Sequence, residues 1–257
     1  MVAQNNVSGQ SDAPKEFVRA IANLNSGKYG PTDLETIANA QNADAVPVLE
    51  REFEKKGEGT DRGKLANVLV RLGHKEGAYW NFLVKQATAA VSTDAPSILN
   101  VDKDGKSLDN PSPSFVAWAA ERHIPLEQAV EDQAFTYPGA IIDIATTGDP
   151  RAIPILRKAM YSTNPLIQTQ AATGLAYLND RDSIELIVAA CSRANPRVAS
   201  GIAESLVYFD DPRAQNAFDH FVPTDQAAEF RKGKASGRGP FGLRTRTQLN
   251  GIHRPSN

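Results

Sequence analysis

One pattern recurs along the second half of this chain at a fixed interval of 31 residues: GDPRAIPIL from Gly148, NDRDSIELI from Asn179 and DDPRAQNAF from Asp210. Between these marks lie NPLIQTQAATGLAYL from Asn164 and NPRVASGIAESLVYF from Asn195, again 31 apart. A period of this size constrains the fold more than any other property of the sequence, because it belongs to chains built from stacked supersecondary units. Each unit holds two apolar segments separated by a short Asn-Pro turn. In the second segment Ala171, Ala172, Leu175, Ala176 and Leu178 align with Ile202, Ala203, Leu206, Val207 and Phe209. Spacings of three and four put such residues on one helical face. In the first segment Ile153 and Leu156 align with Ile184 and Ile187. Pro150, Pro165, Pro196 and Pro212 stand where helices should begin, since proline has no N–H to leave unsatisfied in a first turn. The Asp or Asn before each is a good N-cap. No helical hairpin can bury its apolar face alone, so neighbours must stack. The expected fold is an all-α solenoid of stacked antiparallel helix pairs.

The DPRAIPIL and DPRA motifs, with the A-A-x-x-L pattern from Ala171 to Leu175, resemble the HEAT-repeat family in the short form also seen in bilin-lyase-like proteins. A more diverged pair occurs earlier. Val46, Pro47, Val48 and Leu49 match Ile153 to Leu156, and Leu65, Ala66, Leu69 and Leu72 match Ala171, Ala172, Leu175 and Leu178. The family often carries an Arg seven residues before the repeated Leu. Arg62 occupies that place, whereas the C-terminal repeats have Gln168 and Ala199, which argues against an Asp–Arg ladder between repeats there. The resemblance implies the fold and says little of activity, since such scaffolds host unrelated functions.

The chain divides by composition into a leader (1–14), N-terminal helical repeats (15–91), an irregular insertion with short helices (92–137), C-terminal repeats (138–232) and a basic tail (233–257). The leader is rich in Asn, Gln, Ser and Gly and reads as disordered. The insertion opens with a polar stretch, 92–114, containing prolines, Gly105, Asp102, Asp104 and Asp109, too long for a plain connection. From Arg231 onward there are seven basic residues and no acid, so 21 basic and all 30 acidic residues precede it. The net charge is therefore −9 before Arg231 and +7 from it onward. The tail reads as disordered and suited to contact polyanions. The acidic body makes duplex DNA a poor fit. No apolar run approaches 18 residues, so no membrane span is expected. As written the chain reads as cytoplasmic. Val2-Ala3-Gln4 also resembles what remains of a cleavage site behind a new Met, which would place the protein outside the bacterial cytoplasm.

Motifs that carry chemistry are few. His74, His123, His220 and His253 form no HExxH pair and no His-Glu pair of the HEAT-borne iron hydroxylases; each reads as a surface or capping residue. Gly105-Lys106-Ser107 ends like a phosphate loop, but Asn100 stands where the motif needs glycine. Asn100, Asp102, Asp104 and Gly105 imitate half a calcium loop, but Pro111 replaces its bidentate Glu. There is no GxSxG elbow. Cys191, the one cysteine, lies on an apolar segment and reads as a buried inert thiol. No metal or cofactor is expected.

One stripe remains. Two residues before the repeated Leu69, Leu175 and Leu206 stand Asn67, Thr173 and Glu204; two residues after stand Arg71, Tyr177 and Tyr208. At about 100° per residue both positions point away from the core. In HEAT-like stacks the second helix lines the concave surface, so these six would form adjacent rungs where a protein partner docks. Equally, Tyr177 and Tyr208 could pack between repeats. The expected function is a non-enzymatic scaffold binding a protein through this face. The alternatives are a HEAT-borne enzyme of bilin-lyase-like kind and a periplasmic or envelope scaffold.

Overall fold

A computed structural model describes residues 13–242 apart from 58, 76, 93–94, 97–99, 102–106, 109 and 136–138, with the backbone path alone at 13–14, 100–101, 107, 131–135 and 242. The leader up to residue 12, most of the calcium-loop imitation, His253 and the tail from 243 lie outside the described residues. The chain forms two compact units, Met1–Trp80 and Asn81–Asn257. The boundary falls within one helix, α5 (Ala78–Ser92).

The first unit contains α1 (Ala13–Asn25), α2 (Pro31–Ala40), α3 (Val46–Lys55) and α4 (Thr60–Arg71). α2 packs on α1 and α4, and α3 on α4. Leu24, Ile37, Leu49, Phe53, Leu65 and Leu69 form its core. Leu72, expected in that core, is only half-buried. Arg62 stacks its guanidinium 4.2 Å from the Phe53 ring centroid. α4 ends at Gly73, whose φ of 103° is open to glycine, and the next amide, His74, donates back to the Leu69 carbonyl. That 6→1 bond closes the helix end.

The second unit continues α5 and adds α6 (Pro113–Glu121), α7 (Leu126–Phe135), α8 (Gly139–Thr146), α9 (Ile153–Ala159), α10 (Pro165–Tyr177), α11 (Ile184–Arg193), α12 (Pro196–Ala203), α13 (Pro212–Phe221) and α14 (Thr224–Ala235). The insertion holds a two-stranded antiparallel ladder, β1 (Asn100–Val101) with β2 (Ser107–Leu108), the only strands among the described residues. Ala95, Phe115, Ala119 and Ala129 make a small core of their own.

From α8 onward the 31-residue period becomes two layers. First helices α9, α11 and α13 form one; second helices α8, α10 and α12 form the other, with α10 packed on both α8 and α12. Leu156, Ala171, Ala172, Leu175, Ile184, Ile187, Ile202, Ala203, Leu206 and Phe209 are fully or almost fully buried between the layers. Cys191 is buried there too, and burial pushes its thiol up to about 12, as an inert core cysteine should behave. Leu178 is half-buried.

The Asx-Pro starts work as caps. Asp149, Asn164, Asn195 and Asp211 accept from the amides of Arg151, Leu166, Val198 and Arg213 at 2.9–3.1 Å, with proline at the first position of each turn. Asp180, which no proline follows, caps nothing. It takes Arg157 Nε at 3.0 Å and Nη2 at 2.8 Å, and the Ser183 hydroxyl also donates to it. An Asp–Arg ladder between repeats, doubted from Gln168 and Ala199, is present at one step only among the described residues, Arg157 to Asp180; the other two pairs lie within a single turn. Each of the three repeated aspartates holds an arginine, supplied from other positions: Arg151 to Asp149, Arg157 to Asp180 and Arg213 to Asp211.

Gly174 marks a close approach of α10 to α8 and α9. A Cβ added there would lie 2.8 Å from the Ala145 Cβ and 3.1 Å from Leu156 Cδ1.

Candidate protein-docking face

The second helices end in two different ways, and this difference shapes the face. Gly148 and Asn179 take left-handed conformations (φ 70° and 53°) just after their helices. Asp180 N–H then reaches back to the Leu175 carbonyl at 2.9 Å. Asp210 occupies the same place in the next repeat, and a left-handed turn is not made there. Instead α12 gives way to a 3₁₀ segment, Glu204–Tyr208, and Phe209 leaves it extended. The carbonyls left over need other donors. Gln215 Nε2 supplies them, 2.8 Å from the Phe209 oxygen and 3.3 and 3.4 Å from those of Val207 and Leu206.

Lys234 supplies another. Its ammonium lies 2.9 Å from the Val207 carbonyl and 2.8 Å from Asp210, and it holds that carboxyl below the usual range. A cation suits a helix C-terminus. Arg231 adds a bond to Asp219 at 2.6 Å and stacks over Phe218, tying α14 to α13. Past residue 232, the expected end of the C-terminal repeats, α14 therefore runs on to Ala235. Beyond it Ser236–Gly242 form a turn where the sequence suggested the start of a disordered tail.

Four of the six proposed partner-binding residues lie on adjacent helices of this unit. Thr173 and Tyr177 are on α10, and Glu204 and Tyr208 on the 3₁₀ segment packed beside it. All four are half-buried. The two helices come close: a Cβ on Gly201 would lie 3.8 Å from the Thr169 hydroxyl, one turn before Thr173. The Thr173 hydroxyl donates to the Thr169 carbonyl at 2.9 Å. Burial raises the Glu204 carboxyl above its ordinary range, and no hydrogen bond or ion pair reaches it from the described residues. Burial also raises the Tyr208 hydroxyl, while Arg238 opposes and Glu204 reinforces the shift. Tyr177 faces the Phe241 ring, centroids 6.4 Å apart.

The other two residues require correction. Asn67 is buried at 6% exposure and offers no surface. The Arg71 side chain is 10% exposed and gripped by Glu35 (2.6 and 2.9 Å) and by Asn39 at 3.1 Å, both on α2. α2 lies over the side of α4 that the stripe assumed to be open. Both residues belong to the first unit, where Arg71 holds α2 to α4.

His74, His123 and His220 are exposed. Among the described residues no group of three or more His, Cys, Asp or Glu is arranged to hold a metal ion. No described helix is long and apolar enough to cross a membrane.

Two stacked layers of antiparallel helices, repeating every 31 residues behind Asx-Pro caps, define an α-solenoid. Within that class residues 153–235 match the family model of HEAT repeats. Comparison with the curated proteins found no match, and comparison with the solved structures found none.

Proposed function

We infer that this protein is a non-enzymatic scaffold whose second-helix face, at Thr173, Tyr177, Glu204 and Tyr208, docks a protein partner. HEAT repeats point to protein interaction as the general role. The observation that carries the finer reading is Glu204. A half-buried carboxylate that receives no bond within the described chain has lost part of its hydration, and a cationic partner group would compensate for that loss. Beside it Tyr208 offers a large ring and a hydroxyl, the kind of side chain that anchors protein interfaces. A partner bringing an arginine or lysine would pair the carboxylate and pack on the ring.

The test is capture of the partner from the native host by wild type and by Glu204→Gln/Tyr208→Ala, with bound proteins identified by mass spectrometry. A partner retained by wild type and weakened at least about 30-fold by the double variant, a hot-spot loss of about 2 kcal/mol, supports the reading. An equally retained partner, with the helical signal unchanged, removes this face from consideration.

A further inference from the structure

The docking face already carries an occupant, and it is the chain itself. After α14, Gly237 turns left-handed (φ 86°) and Arg238 N–H closes the helix end on the Gly233 carbonyl at 3.0 Å. This reversal aims the chain back across the second helices. Gly239 and Pro240 are buried, Pro240–Gly242 pack on α10, and the Phe241 ring meets Tyr177. Arg238 acts electrostatically on the Tyr208 hydroxyl. One short segment thus packs its phenylalanine on the Tyr177 rung, and its exposed arginine acts on the Tyr208 rung through charge. Phe241 adopts φ 59°, a conformation that L side chains other than Asn and Asp rarely take. Such a residue stays there only while its surroundings hold it.

We propose that Ser236–Gly242 is an intramolecular stand-in for the partner, and that the partner's docking segment presents an arginine and an aromatic ring three residues apart, as Arg238 and Phe241 do. This rests on the docking reading above and adds the partner's chemistry and its regulation. A tethered segment competes at an effective concentration near millimolar, so an external segment must displace it. The Phe241 strain works in the competitor's favour, because an external segment need not adopt that backbone. Glu204, which the stand-in leaves without a bond, is the contact that a true partner would gain.

The probe is a fluorescein-labelled peptide of sequence SGRGPFG, titrated by anisotropy into the full-length protein. Phe241→Ala releases the stand-in and leaves α14 in place. We expect it to bind the peptide at least tenfold more tightly than wild type, and we expect Tyr177→Ala added to it to abolish the gain. Phe241→Gly deletes the ring while relieving the left-handed strain, and it should behave alike; it is the reference should Phe241→Ala lose helical signal. Equal binding to wild type and both variants, or binding to none, overturns the proposal. The two readings fail separately. Peptide binding gained on release, with partner capture indifferent to Tyr208 and Glu204, keeps the stand-in and sinks the docking face. Sensitive capture without peptide binding does the reverse.

Discussion

Gly174→Ala separates local helix preference from tertiary packing. In a helix interior alanine is favoured over glycine by about 1 kcal/mol, so propensity alone expects the variant to be more stable. The structure expects the opposite. The new methyl would stand 2.8 Å from the Ala145 Cβ, and 3.1 and 3.3 Å from the two Leu156 methyls. Apolar carbons rest at about 3.5–4.0 Å, so α8 and α10 would have to part by roughly 1 Å. Leu156 can rotate; Ala145, a single carbon on a helix backbone, cannot. Overpacking of this kind costs about 1–3 kcal/mol, which leaves a net loss of up to about 2 kcal/mol after the propensity gain. Urea unfolding followed by far-ultraviolet circular dichroism measures it. The partner substitution Ala145→Gly removes the shortest contact, so the double variant should recover stability, with a coupling of about 1 kcal/mol or more. A Gly174→Ala protein more stable than wild type by about 1 kcal/mol would refute the reasoning.

Leu175 is fully buried between the layers, and Leu175→Ala should cost about 2–5 kcal/mol in the same assay; a cost near zero would mean that the repeat register is misplaced. Glu204→Gln tests the unpaired carboxyl through pH. Burial raises its folded pKa above the unfolded one, so the native state binds the extra proton and wild type loses stability as pH rises through that window. Thermal melts should show Glu204→Gln equal to wild type below the unfolded carboxyl pKa, near 4.3, and more stable above the raised folded value. A variant less stable than wild type at neutral pH would show that the carboxylate is paired in the native protein.

The repeat was legible because its signals are local. A proline after an Asx cap and a face of spaced apolar residues need only a few neighbours to act, and Asp149, Asn164, Asn195 and Asp211 cap as read. The face was legible in part. Tyr177 and Tyr208 fall on adjacent helices, but the ring that meets Tyr177 comes from beyond 232, where composition spoke only of charge. Lys234 reads as a tail charge in sequence; in structure it answers a carbonyl that Asp210, standing where Gly148 and Asn179 make left-handed turns, leaves open. That substitution was visible in the alignment of repeats and was the available signal. Asn67 and Arg71 misled because helical angle reports a direction and not what lies there. Glu35 and Asn39, four apart on α2, are the partners that could have been sought.

The Arg157–Asp180 pair also bears on how many repeats such a chain can carry. The cation sits in one repeat and its carboxylate, 8% exposed, in the next. Thirty-one residues after Arg157 the chain has Val188, and the corresponding Asp211 brings its own Arg213. A tandem duplication of 180–210 would set a second Asp180 behind valine and strand a buried negative charge. Duplication of 149–179 would instead set Asp149, with Arg151 already in place, behind Arg157. The modules are therefore similar in shape but not interchangeable, and a lineage could copy the earlier one far more readily than the later.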